Sequence, residues 1–145
     1  MSKLEFTMNL PSESHKIFKI ITDYENIIKF FPAKLQKIHI ISKNENETIT
    51  EETIAISSII KKNFIQQTMH KIIGSSIIES TIITGPLKKT ILRTELQKEE
   101  HGTNILISIN IKTSITYRIV VPLVKKEYKN IMLAFFYKVN TMALQ

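Results

Sequence analysis

The sequence has no cysteine, so disulfide bonds, thiolate metal sites and cysteine nucleophiles are excluded. It also lacks the GxSxG, HExxH, GxGxxG and phosphate-loop motifs that mark common enzyme and nucleotide-binding sites. The histidines are scattered along the chain, and none has a partner at metal-ligand spacing; they are His15, His39, His70 and His101. We therefore expect neither a metal nor another cofactor.

The acidic residues give no acid–base pair. Glu51 and Glu52 are adjacent, as are Glu99 and Glu100, and neighbouring residues on a strand point to opposite faces of a sheet. Asp23 is the only aspartate, and capping of a helix explains it. We assign no catalytic residue.

Long apolar runs are also missing. No stretch approaches the roughly 20 residues that a membrane-spanning helix needs, and the first residues carry no apolar signal region. Hydrophobic residues nevertheless make up 43% of the chain, which is enough to build a core and argues against disorder. We expect a soluble, cytoplasmic protein that folds as a single domain over residues 1–145.

The basic residues are almost all lysine, since Arg93 and Arg118 are the only arginines. The formal net charge of +7 is therefore carried by flexible point charges and not by planar guanidinium groups. A nucleic-acid reader more often has arginine and exposed aromatic residues. The excess of positive charge is compatible with an anionic partner or with a simple role in solubility.

Most of the chain shows the alternation typical of strands, and isoleucine, which favours strands, is abundant. All three glycines fall at predicted turns, where a positive φ costs little. A first strand, Lys3–Leu10, is followed by a helix over Glu13–Ile21 capped by Ser12 and a second helix over Tyr24–Phe30 capped by Asp23 and ended by Pro32. The six later strands are predicted at Leu35–Ser42, Glu47–Ile56, Phe64–Ile73, Ile77–Thr84, Thr90–Lys98 and Asn104–Thr116.

The chain ends in one long amphipathic helix, predicted over Val121–Gln145. Its apolar stripe consists of Val124, Tyr128, Ile131, Phe135, Val139 and Met142, and is widened by Met132 and Phe136. So wide an aromatic face must be covered. The sequence thus predicts an α+β fold of order β-α-α-β6-α, in which a curved antiparallel sheet wraps around the C-terminal helix.

Three segments carry a resemblance to a known family: Phe18–Tyr24 followed by Phe31-Pro32, then Gly85-Pro86-Leu87-Lys88-Lys89, and the helix start Val121–Lys126. They resemble motifs of the helix-grip superfamily, which includes START domains and the birch-pollen allergen (SRPBCC proteins), and in particular its polyketide-cyclase and coenzyme-Q-binding branch. That branch often has a W-x-F pair where this chain has Thr94 and Leu96, so the shape of a cavity is expected to differ. The resemblance implies a helix-grip fold and a function only as a class.

Proteins of this superfamily commonly keep a ligand cavity between the sheet and the C-terminal helix. The residues that we predict to line it are Leu92, Thr94, Leu96, Ile105, Ile107, Ile109, Ile111, Val124, Tyr128, Ile131 and Phe135. Gln67 and His70 are candidate polar groups that would orient a ligand there. The alternative is that these side chains simply fill a core.

Three functions remain open. The leading hypothesis is the non-catalytic binding or transport of a lipophilic molecule, such as a lipid, an isoprenoid quinone or a polyketide-like compound. The first alternative is an aromatase/cyclase-like enzyme, which would need convergent titratable residues inside the cavity. The second is a ribosome- or RNA-associated interaction protein with a basic surface and a filled core. An apolar cavity of several hundred Å3 would favour the first two.

The positive charges are predicted to gather at one end of the sheet, because alternate connections of an up-and-down sheet lie at the same end. The predicted basic rim of the cavity mouth comprises Lys61, Lys62, Lys88, Lys89, Arg118, Lys125 and Lys126. The opposite end carries Glu45, Glu47, Glu99 and Glu100. The hypothesis is that the basic rim contacts an anionic membrane surface while apolar cargo passes through the mouth.

Overall fold

The computed structural model describes residues 2–31, 35–55, 63–113 and 121–145. The elements, in chain order, are β1 (Ser2–Leu10), α1 (Ser14–Ile21), a short 3-10 helix (Ile27–Phe30), β2 (Leu35–Lys43), β3 (Glu47–Ile54), β4 (Phe64–Ile73), β5 (Ile77–Ile82), β6 (Ile91–Glu99), β7 (Gly102–Ile111) and α2 (Val121–Ala143). The predicted α+β class and the order β-α-α-β6-α are confirmed.

The strands form one seven-stranded antiparallel sheet in the order β1-β7-β6-β5-β4-β3-β2. Strands β2 to β7 are a simple meander, and β1 pairs with β7 along its whole length, from Ser2 opposite Ile111 to Leu10 opposite Thr103. Strands β1 and β2 lie at opposite edges of the sheet, and α1 and the 3-10 helix come between them in the chain. The sheet is curved and holds α2 on its inner face, which is the helix-grip architecture that was predicted.

The buried face of the C-terminal helix is close to the predicted apolar stripe. Its buried residues are Val124, Met132, Phe135, Phe136, Val139 and Ala143. Met142 was predicted on this stripe, but it is 38% exposed. An α-helix repeats about every 3.6 residues, so the next position after Val139 on the buried face is Ala143, and Met142 lies toward water.

The two predicted helix caps are wrong. The N-cap position of α1 is Glu13, and Ser12 lies one residue too early; its hydroxyl instead donates to Asn140 Oδ1 in α2 at 2.6 Å. The predicted helix over Tyr24–Phe30 is reduced to the 3-10 helix, whose N-cap position is Asn26. Asp23 accepts a hydrogen bond from the Asn26 side chain at 2.9 Å, so it orders the turn before the helix. Pro32 lies outside the described residues.

Strand ends also differ from the prediction. The last strand, predicted to reach Thr116, ends at Ile111. Beyond Ile111, side-chain hydrogen bonds replace the backbone hydrogen bonds of the sheet. The Thr90 hydroxyl donates to the Lys112 carbonyl at 2.9 Å and accepts from the Lys112 amide at 3.0 Å. The strand predicted over Glu47–Ile56 ends at Ile54, and Ile56 lies outside the described residues.

The turn glycine at position 102 has a specific packing role. It has a φ of +144°, and a Cβ at this position would collide with the carbonyl oxygen of Leu10. The β6–β7 turn can therefore lie directly against the end of β1 only with glycine there. Within the described ranges, no helix is both long and apolar enough to cross a membrane.

Candidate functional site

A cavity of about 180 Å3 lies between the inner face of the sheet and α2. Its walls come from β2 to β6, from the segment around the 3-10 helix, and from the middle of α2. Most lining side chains are apolar, and two stacked rings, Phe31 and Phe135, form part of the wall with their centroids 4.2 Å apart. The cavity is therefore a largely hydrophobic chamber beneath the helix.

One side of this chamber is polar. The inward-facing positions of three neighbouring strands carry hydroxyl, amide, imidazole and carboxyl groups, which are Thr50 and Glu52 on β3, Gln66, Thr68 and His70 on β4, and Ser80 on β5. The antiparallel register places them side by side, with Thr50 opposite Thr68 and His70 opposite Ser80. We call these six residues the polar cluster.

Glu52 is the centre of the polar cluster. Its carboxyl accepts hydrogen bonds from Thr68 Oγ1 at 2.5 Å, from Thr50 Oγ1 at 3.2 Å and from Gln66 Nε2 at 3.4 Å. Burial raises the pKa of Glu52 to about 7, partly opposed by these three hydrogen bonds and reinforced by the nearby charge of Glu51. The side chain can therefore gain or lose a proton near neutral pH.

His70 extends the network. Its Nε2 lies 2.8 Å from Thr50 Oγ1 and its Nδ1 lies 2.7 Å from Ser80 Oγ. Burial lowers the pKa of His70 to about 4, so the ring is neutral at pH 7. Because the Thr50 hydroxyl donates to Glu52, the Nε2–H of His70 donates to Thr50 and Nδ1 accepts from Ser80. In this series of hydrogen bonds, from Ser80 through His70 and Thr50 to Glu52, each donor therefore points toward the carboxylate.

Two tyrosines complete the polar side. Tyr24 stacks on the His70 ring with centroids 4.5 Å apart, and its buried hydroxyl has no hydrogen-bond partner. Tyr128 reaches the cavity from α2. Burial raises the pKa of both phenols, and for Tyr128 the negative charge of Glu52 adds to the effect. Both phenols are therefore neutral and keep an O–H group inside the protein.

The structure divides the predicted lining residues into two groups. Leu92, Thr94, Tyr128, Ile131 and Phe135 line the cavity. The other six are buried in the packed core and do not line it: Leu96, Ile105, Ile107, Ile109, Ile111 and Val124. The four isoleucines of β7 are at most 2% exposed, because this part of the sheet is packed against other buried side chains and leaves no open space beside them.

The two predicted orienting residues lie on opposite faces of β4. His70 lines the cavity, whereas Gln67 points outward, where its Nε2 donates to Glu51 at 3.2 Å. Positions 67 and 70 differ in parity along the strand, so the two side chains cannot share a face. The inward glutamine is Gln66.

Sequence reasoning missed the rest of the polar cluster. Glu51 and Glu52 were set aside because they point to opposite faces, and they do. The same alternation leaves one of the two carboxyls facing inward, and that was the available signal. Choosing between them requires the register of β3 on β4, which the sequence does not contain.

The predicted basic rim can be described only in part. Lys88 and Lys89 are exposed in the connection between β5 and β6, next to the cavity-lining Leu87. Lys125 and Lys126 lie in the first turns of α2. Lys61, Lys62 and Arg118 lie outside the described residues.

No protein-family model matches the chain, and no curated protein is similar to it in sequence. Solved structures, in contrast, share its fold. Zhui aromatase/cyclase from Streptomyces sp. R1128 superposes with a TM-score of 0.82 at 11% identity, over 98% of this chain and 93% of that chain. A START superfamily protein from Mycobacterium smegmatis superposes with a TM-score of 0.78 at 11% identity, over 99% of this chain and 97% of that chain. Ara h 8.0201 superposes with a TM-score of 0.71 at 20% identity, over 99% of this chain and 97% of that chain.

These likenesses establish the fold. The chain has the helix-grip fold of START domains and of the pollen-allergen class, and the resemblance found in the sequence is confirmed at that level. At such low identity the activities of these proteins do not transfer to this chain.

Proposed function

We propose that this protein binds a small lipophilic molecule in the cavity under α2, without transforming it. The observation that carries the proposal is the cavity itself, which is largely apolar and has one polar side. Such a combination is typical of ligand sites, where apolar walls supply affinity and a few polar groups fix the orientation. The helix-grip fold, which the superposition extends over 99% of the chain, supports the same conclusion.

The size of the cavity favours a compact ligand. A cavity of about 150 Å3 in another protein takes up benzene, and this one, at about 180 Å3, is slightly larger. It therefore suits one or two fused rings or a short chain. A longer lipid or isoprenoid quinone would keep only its ring or its first units inside, with the remainder passing through the opening.

A cyclase-like activity has one observation in its favour, namely the titratable groups that converge on the cavity. However, both ring nitrogens of His70 face hydroxyls, so the imidazole has no free lone pair, and the three hydrogen bonds to Glu52 leave about one acceptor site, which is available to hold a ligand. A general base needs a free lone pair aimed at the substrate. This arrangement supports binding in preference to catalysis.

The interaction-protein alternative required a filled interior, whereas the cavity is open, although at about 180 Å3 it is smaller than the several hundred Å3 expected for the other two functions. An open cavity with a buried carboxyl is costly to maintain, because both the void and the desolvated acid destabilise the fold. A protein that used only its lysine surface would have no need for either. This cost supports a function inside the cavity.

Indole is a suitable probe for the proposal, because it fits the cavity and the protein has no tryptophan to interfere with its fluorescence. We expect saturable binding to the wild type. Thr94 lines the cavity, so Thr94→Phe should fill part of it and weaken binding by about tenfold or more, equivalent to about 1.4 kcal/mol.

Arg93→Phe is the matched control, because it adds the same ring at the next position, on the exposed outer face. It should leave indole binding unchanged. Urea unfolding of each variant checks that the fold is retained. Equal binding by the wild type and by Thr94→Phe would place indole elsewhere and overturn the proposal. Native mass spectrometry of the purified protein would also identify any lipophilic mass that accompanies it.

A further inference from the structure

The charge inside the cavity has one sign. Among the lining residues that the structure describes, Glu52 is the only one that ionises near neutral pH, since its pKa is about 7, there is no lysine or arginine, and His70 is neutral. The carboxylate has only neutral hydrogen-bond donors around it. When Glu52 is ionised, a ligand that enters the cavity therefore meets a single negative charge that no cation of the lining compensates.

The hydrogen-bonding groups beside Glu52 also favour a donor. Gln66 uses its Nε2 to bond the carboxyl, and the oxygen of the same amide, Oε1, is buried without a partner. An unpaired buried acceptor is costly, and a ligand N–H or O–H would remove that cost. The amide that carries this oxygen bonds the Glu52 carboxyl, so both acceptors belong to one cluster, and a group with several N–H donors suits them.

The walls near the polar cluster are aromatic. Tyr24 stacks on His70, and Phe31 and Phe135 stack on each other, and all three of these aromatic residues line the cavity. The face of an aromatic ring attracts a cation, most strongly where water is excluded. These rings would support a positive charge and an attached apolar group together.

From these three features, we propose that the cavity selects lipophilic amines in their protonated form, with the ammonium group held by Glu52 and the apolar part against the aromatic wall. This inference rests on the proposed function, and it specifies the ligand class. It also implies that anionic lipophiles, such as carboxylic acids, are rejected, because two carboxylates in an apolar chamber repel each other without a cation between them.

Three probes with one skeleton test the inference: 2-phenylethylamine, 2-phenylethanol and phenylacetate, which are cationic, neutral and anionic at pH 7.5. Their binding can be measured by protein NMR titration. We expect the amine to bind about tenfold or more tighter than the alcohol, as a close pair of opposite charges in a partly buried site provides. Phenylacetate should bind more weakly than the alcohol.

The pH profile of the wild type is a second readout that needs no variant. The titratable groups around Glu52 are His70, Tyr24 and Tyr128 in the cavity and Glu51 on the outer face, and none of the first three changes charge between pH 6 and 8. An aliphatic amine stays protonated below about pH 9. Affinity for the amine should therefore rise about tenfold between pH 5.5 and pH 8, as Glu52 ionises, with release of a proton on binding near pH 7.

Glu52→Gln keeps the shape of the side chain and removes its charge. It should abolish both the preference for the amine over 2-phenylethanol and the pH dependence of amine binding. Glu51→Gln is the matched control, since it removes a carboxyl from the same strand on the outer face, and it should retain the preference for the amine.

The outcomes separate the two proposals. If the alcohol binds and the amine binds no better at pH 8, or if phenylacetate binds best, the inference about amines is overturned while binding in the cavity stands. If neither indole nor any of the three probes binds, the proposed function fails and the inference fails with it.

Discussion

The inward-facing positions of the sheet carry different side chains in its two halves. On β7, which pairs with β1 at one edge, the inward positions are isoleucines that are almost completely buried, such as Ile107 and Ile109. On β3, β4 and β5 the inward positions include the polar cluster, and the space in front of them is open. We call β1 with β7 the packed half and β3 to β5 the cavity half.

This difference separates stability from recognition. The packed half buries apolar side chains almost completely, and such burial is the main source of folding free energy. The cavity half gives up part of that gain, because a void and a desolvated carboxyl both cost free energy. A single sheet can therefore carry a costly site on one side because its other side is well packed.

The largest expected effect is at the residue that bounds the cavity from above. Phe135 stacks on Phe31 and meets Phe136 edge-on at 5.0 Å. Phe135→Ala should lower the free energy of unfolding by about 3–5 kcal/mol, measured by urea denaturation, because it removes a buried ring and enlarges an existing void. Tyr137→Ala, at a position 58% exposed on the same helix, is the control and should cost far less. A loss below about 1 kcal/mol at Phe135 would mean that α2 repacks freely over the cavity.

A matched pair of isoleucines compares the halves directly. Ile109 lies in the packed half and is fully buried, whereas Ile82 lies in the cavity half and lines the void. Ile109→Ala should cost about 3–5 kcal/mol and Ile82→Ala about 1 kcal/mol less, since a side chain beside a void has fewer neighbours to lose. Equal losses, measured by the same denaturation, would show that the cavity half is packed as tightly as the other.

The third prediction concerns pH and the buried carboxyl. Glu52 has its pKa raised from 4.5 to about 7, so the folded state binds a proton more tightly than the unfolded state does. Its contribution to stability is therefore greatest below pH 4.5 and falls as the pH rises to about 7. Glu52→Gln does not titrate, so its stability relative to the wild type should increase by about 1–3 kcal/mol between pH 4.5 and pH 8.

His70 acts in the opposite direction, because its lowered pKa makes the folded state lose stability as the pH falls from 6.5 toward 4. Since His70 is present in both proteins, the difference between the variant and the wild type isolates Glu52. A difference that stays flat across this range would show that the carboxyl is better solvated than its surroundings indicate.

The smallest expected effect is in the connection between β5 and β6, where Lys88 and Lys89 follow the cavity-lining Leu87. If the basic rim contacts membranes, Lys88→Glu/Lys89→Glu should reduce co-sedimentation with anionic liposomes at low salt, by roughly 1 kcal/mol for each lysine. Added salt should produce a similar reduction in the wild type. Binding that is indifferent to lipid charge, salt and both substitutions would leave these lysines as solubility residues.

The fold could be predicted because its signals are local. Glycines at turns, alternation along β7 and the helical stripe that includes Phe135 and Val139 each follow from a few neighbouring residues. The short helices were less predictable, because contacts distant in sequence compete with local caps. Ser12 has the chemistry of a cap, but Asn140 lies within reach of its hydroxyl only after α2 has packed.

Apart from His70, the polar cluster could not be predicted, because the alternation of apolar residues along β4 favours the opposite face of the strand. Its outer face carries Ile65 and Ile73, which are exposed, whereas its inner face carries Gln66, Thr68 and His70. A pattern-based choice places the isoleucines inside. The correct face is set by the register with β3 and β5, and the polar residues are tolerated inside because most of their polar atoms bond one another, Gln66 Oε1 being the exception.

The bonds of Ser12 have a mechanical consequence. Its hydroxyl holds Asn140 near the end of α2, and its carbonyl accepts a hydrogen bond from Thr103 at the start of β7, so this end of the helix is pinned to the packed half. Tyr128 lies twelve residues away, or roughly 18 Å along the helix axis. If the helix tilted as a rigid rod about this end, the residues farthest from Asn140 would move most. A tilt of about 5° there would move the roof of the cavity at Tyr128 by roughly 1.5 Å, enough to change which ligands fit while the packed half remains still.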